Sequence, residues 1–262
     1  MNKWQDREVT KRPLNYSAPV LAVQGVVKAF GEKCAVDGVS LEVMPGDLFG
    51  FVGHNGAGKT TLIRAIVGVT DFNAGDILID GMSVKRNALA CKRMTAYVPD
   101  NPDIYEFLTG IQYLDYISDI FEVPVDLRRT RIQLYADRLG LTVALGDLVS
   151  SYSHGMRQKL VLIGALVHEP KLLVLDEPFV GLDPEASFHL KEMLGELAAG
   201  GSAVFFSSHV LEVVEKLCNK VAIIKQGKLR ASGFTADVVG DESLEDVFLD
   251  MIEKAPQREG AS

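Results

Sequence analysis

The sequence predicts an α/β fold with a predominantly parallel sheet, N-terminal antiparallel strands and an inserted helical subdomain. Strands alternate with amphipathic helices over the last third of the chain, which is typical of a parallel sheet covered on both faces. Near residue 50 an apolar strand runs through a glycine-rich turn into a helix, and residues 104–150 have a helical pattern throughout.

The first fifty residues are rich in Val, Leu and Phe with turn residues between them, and they predict strands at 20–30 and 39–53. After Gly58 the apolar residues recur at helical spacing, and Gly68 is placed to end that helix. This part of the chain therefore predicts a strand, a glycine-rich turn and a helix in succession.

The middle of the chain predicts a helical subdomain inserted at about residues 100–154. Residues 111–121 and 127–141 carry apolar side chains three and four apart, with charges on the opposite face. We interpret the aromatic residues of this region as core, on the general burial habits of such side chains. A docking surface for a partner is the alternative. These residues are Tyr105, Phe107, Tyr113, Tyr116 and Phe121.

The last third predicts alternating strands and helices, followed by one more amphipathic helix at 243–255. The predicted elements are a strand at 171–176, a helix from Pro184, a strand at 203–208, a helix at 210–218, a strand at 221–225 and a hairpin at 226–233. We divide the chain into a polar lead-in at 1–19, a single domain at 20–253 and a tail at 254–262.

Composition and charge argue against several classes of protein. The 262 residues carry a formal net charge of −8, which gives no electrostatic reason to bind nucleic acid, because Lys and Arg drive that binding. The longest apolar runs fall far short of the ~20 residues of a membrane span, and the N-terminal segment lacks the apolar core of a signal peptide. Cys34, Cys91 and Cys218 are scattered, which fits neither a disulfide framework nor a zinc site. We expect a cytoplasmic protein.

The stretch GHNGAGKTT satisfies G-x-x-x-x-G-K-[ST], the phosphate-binding loop (P-loop) of nucleotide-binding proteins. Its residues are Gly53, His54, Asn55, Gly56, Ala57, Gly58, Lys59, Thr60 and Thr61. The glycines let backbone N–H groups curl around the α- and β-phosphates, and the dipole of the following helix favours the anion. Lys59 is expected to reach the β- and γ-phosphates, and the Thr60 hydroxyl is expected to bind Mg²⁺. The loop therefore predicts a nucleotide bound with Mg²⁺.

Two adjacent carboxylates, Asp176 and Glu177, end a predicted buried strand. In an open parallel sheet the ligand lies beyond the carboxyl ends of the strands, where the P-loop also lies, so these carboxylates can meet the phosphates. Neighbouring side chains on a strand point in different directions. We assign Asp176 to Mg²⁺ and Glu177 to the role of general base for the attacking water.

Three further stretches, YSHGM, FVGLDP and SSHVLEVVEKLC, follow the P-loop in an order that resembles the ATP-binding-cassette (ABC) family over nearly the whole chain. The resemblance implies that Ser153 and Gly155 of the signature loop contact the γ-phosphate bound to another subunit. It implies that Asp183 of the D-loop crosses the dimer interface. It also implies that His209 of the switch segment contacts the γ-phosphate and that Phe30 stacks on adenine.

The sequence departs from the family pattern at two places that matter for function. Asp100 stands where the family's glutamine usually ligates Mg²⁺ and senses the partner; a carboxylate can also bind Mg²⁺ but adds a charge. The family's signature loop reads LSGGQ, and Tyr152, His154 and Met156 differ from it. An imidazole at position 154 is a candidate pH sensor near the phosphate.

The resemblance implies a domain of which two copies close head-to-tail over two ATP molecules, the second being an identical chain or a sister ATPase. Glu177 would polarise water while Lys59, His209 and Mg²⁺ stabilise the developing charge. The helical subdomain and the Asp100 loop would grip a transmembrane permease, at the inner face of the cell membrane.

Together with the acidic residue at position 100, YSHGMRQKL and SLEDVFLDMI resemble most the ATP-binding subunits of bacterial exporters. The first alternative is a cassette ATPase that acts on ribosomes or DNA without a permease. The second is a small-molecule kinase or GTPase, which leaves the signature loop, D-loop and switch segment unexplained.

Overall fold

The computed structural model describes residues 18–253, so the predicted tail and all but the end of the predicted lead-in lie outside the described residues. The strands are β1 (Leu21–Phe30), β2 (Lys33–Val43), β3 (Leu48–Val52), β4 (Ala74–Ile79), β5 (Met82–Ser83), β6 (Thr95–Val98), β7 (Leu172–Asp176), β8 (Ala203–Ser208), β9 (Lys220–Lys225) and β10 (Lys228–Phe234). The α-helices are α1 (Lys59–Ile66), α2 (Ala88–Met94), α3 (Gly110–Ile120), α4 (Val125–Arg138), α5 (His154–Val167), α6 (Pro184–Ala199), α7 (Leu211–Leu217), α8 (Thr235–Val239) and α9 (Leu244–Glu253).

The main sheet has six strands in the order β10-β9-β3-β8-β7-β6, and all neighbours are parallel except β9 and β10. A second sheet, β2-β1-β4-β5, is antiparallel. The predicted fold class is therefore confirmed. Because β3, β7 and β8 are parallel neighbours, Val52 lies beside Ser208 and Asp176 beside Ser207, which brings the chain segments that follow these strands to one edge.

The main sheet is covered on both faces, as expected for parallel strands. Every residue of β7 and β8 is buried. On the face toward the antiparallel sheet and α1, the ring of Phe205 packs against Phe49 and Phe51 with centroid distances of 5.5 and 5.3 Å. The other face packs against α5 and α6, and that apolar cluster continues into the helical subdomain.

The helical subdomain consists of α3 and α4, which pack against α5. Helix α3 begins at a capping box in which Thr109 and Gln112 each accept a backbone N–H of the other. Of the aromatic residues, Tyr113 is buried in the core as predicted. The core interpretation is wrong for three others, which form an exposed group that we call the aromatic surface. Its members are Tyr105, Phe107 and Tyr116, at 49%, 75% and 43% exposure.

His168, at the end of α5, makes the stability of the fold dependent on pH. Its ring stacks on Phe121 with a centroid distance of 3.7 Å, and burial lowers its pKa from 6.5 to about 4. Between these pH values the unfolded chain binds a proton that the folded chain does not bind, so stability falls as the pH drops from about 6.5 to about 4.

Because of His168, we expect the free energy of unfolding to be about 2–3 kcal/mol lower at pH 4.5 than at pH 7. The measurement is urea unfolding at both pH values of the wild type and of His168→Phe, which keeps a flat ring against Phe121 but cannot titrate. The variant should lose less stability than the wild type by that amount. Equal losses of unfolding free energy in the two proteins would contradict the lowered pKa of His168.

Candidate functional site

A cavity of about 620 Å³ opens at the carboxyl edge of the main sheet. Its lining residues are Gly53, His54, Asn55, Asp100, Glu177, Val180, His209, Leu211 and Phe248. The cavity thus brings together the predicted P-loop, Asp100 shortly after β6, the second carboxylate and the switch histidine. This follows from the parallel register, since each of these residues comes shortly after the end of a neighbouring strand.

The P-loop leaves no room for side chains at its two outer glycines. A Cβ atom on Gly53 would lie 2.6 Å from the carbonyl oxygen of Ile224. Gly58 has a φ of +112°, and a Cβ atom there would collide with the carbonyl oxygen of Ala35. The loop therefore adopts its shape only with glycine at both positions.

Lys59 is the first residue of α1 and is buried, at 6% exposure. Its Nζ donates to the carbonyl oxygen of Gly53 at 2.6 Å and lies 3.6 Å from Oε1 of Glu177. A buried ammonium group needs such anionic or carbonyl partners, because it has lost its water. The lysine is thus held across the P-loop and faces the cavity-lining carboxylate.

Asp176 lies beneath the cavity at 1% exposure. Its Oδ1 accepts from Oγ of Ser207 at 2.5 Å, and the Thr60 hydroxyl lies near this carboxylate. Burial raises its pKa, and the carboxylates of Asp100 and Glu177 raise it further, against the lowering by the two hydroxyls. Oδ2 has no hydrogen-bond partner within residues 18–253. A buried carboxylate oxygen without a partner, beside a threonine hydroxyl and near a second carboxylate, suits a hard cation such as Mg²⁺.

Glu177 has a left-handed backbone, with a φ of +50°, which is uncommon for a residue with a side chain. Its backbone N–H donates to Oγ of Ser207 at 3.1 Å. Its Oε2 lies 2.8 Å from Nδ1 of His209 and accepts the backbone N–H of His209 at 3.2 Å. The carboxylate is therefore held between Lys59 on one side and His209 on the other, at the wall of the cavity.

The signature loop and the D-loop of the same chain lie in direct contact. Ser153 caps α5, since its Oγ accepts the N–H of Met156 at 3.2 Å. A Cβ atom on Gly155 would lie 2.6 Å from the carbonyl oxygen of Gly181, and the ring of His154 lies against Gly181. His154 thus packs on the D-loop of its own chain.

Asp183 is held within its own chain by two contacts. Its Oδ1 accepts the N–H of Ala186 at 2.8 Å, which caps α6, and its Oδ2 lies 2.6 Å from Nζ of Lys159. The backbone hydrogen bond of Ala186, followed by Lys159, lowers the pKa of this carboxyl. Asp183, like Ser153 and Gly155, is not among the residues that line the cavity.

Phe30 lies at the end of β1 with 54% exposure, outside the cavity lining. Nζ of Lys28 lies 4.7 Å from its ring centroid, within the range of a cation–π contact. Two further residues of the site, Ser207 and Phe248, are not predicted by the motifs. The position of Ser207, two residues before the switch histidine, could have indicated it. Nothing in the local pattern of α9 distinguishes Phe248 from its apolar neighbours.

These features define a nucleotide-binding site of the P-loop type, since a phosphate-binding loop, a buried carboxylate, a second carboxylate and a histidine meet at the ends of adjacent parallel strands. The model of the ABC transporter family matches residues 36–180, and the chain belongs to this family. Its family and fold are those of the ATP-binding proteins of ABC transporters.

Known relatives agree with this assignment. An ABC transporter ATP-binding protein of Nostoc sp. is 37% identical over 80% of this chain. A Nod factor export ATP-binding protein of Ralstonia nicotianae is 32% identical over 86% of this chain and 70% of its own length. A solved structure of an ATP-binding subunit of an ABC transporter superposes with a TM-score of 0.86 at 28% identity, over 89% of this chain and 99% of that chain.

The chain spans 62% of the length of the Nostoc relative. Within residues 18–253, no helix is both long enough and apolar enough to span a membrane.

Proposed function

We propose that this chain is the motor of an exporter: it binds and hydrolyses ATP with Mg²⁺, dimerises head-to-tail and drives a separate transmembrane permease from the cytoplasmic face of the cell membrane. The observation that carries the hydrolytic part is the pairing of Glu177 with Lys59 and His209 at the wall of the P-loop cavity.

The P-loop N–H groups and Lys59 bind the phosphates, and Glu177 accepts a proton from the water that attacks the γ-phosphate. His209, which already lies against Glu177, orients that carboxylate and donates to the phosphate. Asp176, Thr60 and Asp100 would hold Mg²⁺, which supplies charge neutralisation of the phosphates when bound. Phe30 offers an exposed ring on which adenine stacks.

Dimerisation is supported by the position of Ser153, Gly155 and Asp183 outside the cavity of their own chain. The close approach of Gly155 to Gly181 and the contact of Lys159 with Asp183 hold the signature loop and the D-loop together as one unit. In a head-to-tail pair this unit completes the nucleotide site of the second subunit, which is an identical chain or a sister ATPase.

The permease contact is supported by the aromatic surface, because grouped exposed aromatic side chains are typical of interaction sites. Glu106 lies between two members of this surface in sequence, and its carboxylate pairs with Arg157 of α5 at 2.7 Å. The aromatic surface is thereby linked to the helix that carries the signature loop.

Export is supported by the relative that is named for Nod factor export.

The test is affinity capture of the Glu177→Gln protein with Mg-ATP from detergent-solubilised native cells, followed by mass spectrometry. We expect a multi-span membrane protein in stoichiometric amount. Ribosomal or DNA-processing proteins without such a membrane protein would instead support a cassette ATPase that works without a permease.

Phe107→Ser is expected to reduce the captured permease by about tenfold or more, because it removes the most exposed ring of the aromatic surface. The measurement is the same capture, quantified against the bait. Leu89→Ala is the control, since Leu89 is an apolar residue of similar exposure, 68%, on α2. Equal capture by the Phe107→Ser and Leu89→Ala proteins would contradict the assignment of this surface.

A further inference from the structure

We propose that the C-terminal helix α9 is a wall of the nucleotide site and that Phe248 is a positioning residue, which holds the P-loop in its phosphate-binding shape through His54. The inference rests on the nucleotide site proposed above. It gives a role to SLEDVFLDMI, a stretch to which the hydrolytic mechanism assigns no task.

Phe248 and His54 are in contact across the cavity wall. Their ring centroids are 5.0 Å apart with an interplanar angle of 52°, and both residues line the cavity. The carbonyl oxygen of His54 accepts the N–H of Ala57 at 3.0 Å, which closes the turn at the start of the P-loop. A contact that fixes the His54 side chain therefore restrains the turn whose N–H groups bind phosphate.

Helix α9 is held by one hydrogen bond on each side of Phe248, so it can form a fixed wall of the cavity. Leu244 is fully buried, and its N–H donates to Oε2 of Glu215 on α7 at 2.8 Å. Nζ of Lys225, at the end of β9, donates to the carbonyl oxygen of Met251 at 3.1 Å. The helix is thus anchored to two elements of the main domain.

The elements that anchor α9, which are β9 and α7, also border the nucleotide site. Lys225 follows Ile224, whose carbonyl oxygen lies 2.6 Å from the position of a Cβ atom added to Gly53. The P-loop is therefore bounded by the end of β9 beneath Gly53 and by α9 beside His54. Helix α7, which holds the start of α9, begins two residues after His209, and its first residue, Leu211, also lines the cavity. Phe248 accordingly bridges the P-loop and the switch side of the site.

An anchored aromatic contact lowers the entropy that the P-loop loses when it orders around phosphate. We expect Phe248→Ala to raise the dissociation constant of Mg-ADP about tenfold, which corresponds to ordering of roughly one residue. The measurement is isothermal titration calorimetry of the full chain with Mg-ADP, which the protein does not turn over. Leu249→Ala is the matched control on the same helix, because Leu249 is 47% exposed and is not among the cavity-lining residues.

A double-mutant cycle separates positioning from general support of the fold. If Phe248 acts through His54, then His54→Ala and Phe248→Ala each weaken Mg-ADP binding, and the double variant is no weaker than the worse single variant. Phe248→Tyr, which keeps the ring, should restore binding to within about twofold of the wild type.

Unchanged binding in Phe248→Ala, or effects that add fully in the double variant, would overturn the inference. A wild-type chain that fails to bind Mg-ADP would instead overturn the proposed nucleotide site, so the two failures can be distinguished.

Discussion

Replacement of Glu177 by glutamine is expected to lower ATP turnover by about 10²–10⁴, the range for loss of a general base, and to leave ATP binding intact. The amide is nearly isosteric with the carboxylate, so its contact with His209 can be retained through the amide oxygen. It cannot accept a proton from water. Bound ATP should therefore persist, and the head-to-tail dimer should accumulate.

The measurement is steady-state phosphate release together with equilibrium binding of ATP. Glu245→Gln is the control, because Glu245 is an exposed residue of α9 that does not line the cavity, and it removes the same charge. Turnover near that of the control protein would overturn the assignment of Glu177. Weakened ATP binding with normal turnover would show that Glu177 supports the substrate and does not act as the base.

The meeting of the P-loop, the two carboxylates and His209 was predictable from the sequence, because each of them ends or follows a predicted strand. Val52 and Asp176 end buried apolar runs, and His209 comes directly after another. Parallel strands place their carboxyl ends at one edge, so local patterns were enough to predict that the P-loop, the carboxylates and the histidine meet. The left-handed backbone of Glu177 has no such local signal.

Other features depend on tertiary packing and could not be read from local patterns. Strands β4 and β6 and helix α2 lie in a stretch without strong periodicity, so no local pattern predicts them. The burial of Tyr113 and the exposure of Tyr116 depend on which side of α3 faces α5, which composition does not determine. The contact between His54 and Phe248 joins residues that are remote in sequence, so no spacing rule could indicate it.

Replacement of Lys59 by methionine is expected to lower turnover by about 10²–10³ and, unlike the change at Glu177, to weaken ATP binding as well. Methionine fills a similar buried volume without the charge. The phosphates lose a cation that is fixed in a water-poor site, where such charge stabilisation has its largest effect. Lys59→Arg should not rescue turnover, because the planar guanidinium is larger and cannot reproduce the 2.6 Å contact with Gly53 in a site that is 6% exposed.

Phosphate release and ATP binding by Lys59→Met should be compared with those of Lys92→Met, an exposed lysine on α2. The double variant with Glu177→Gln gives the sharper result. Lys59 and Glu177 face each other at 3.6 Å and act on the same transition state, so their effects on turnover should be far from additive. Full additivity would mean that the two residues serve separate steps, and the ion pair between them would then have no role in hydrolysis.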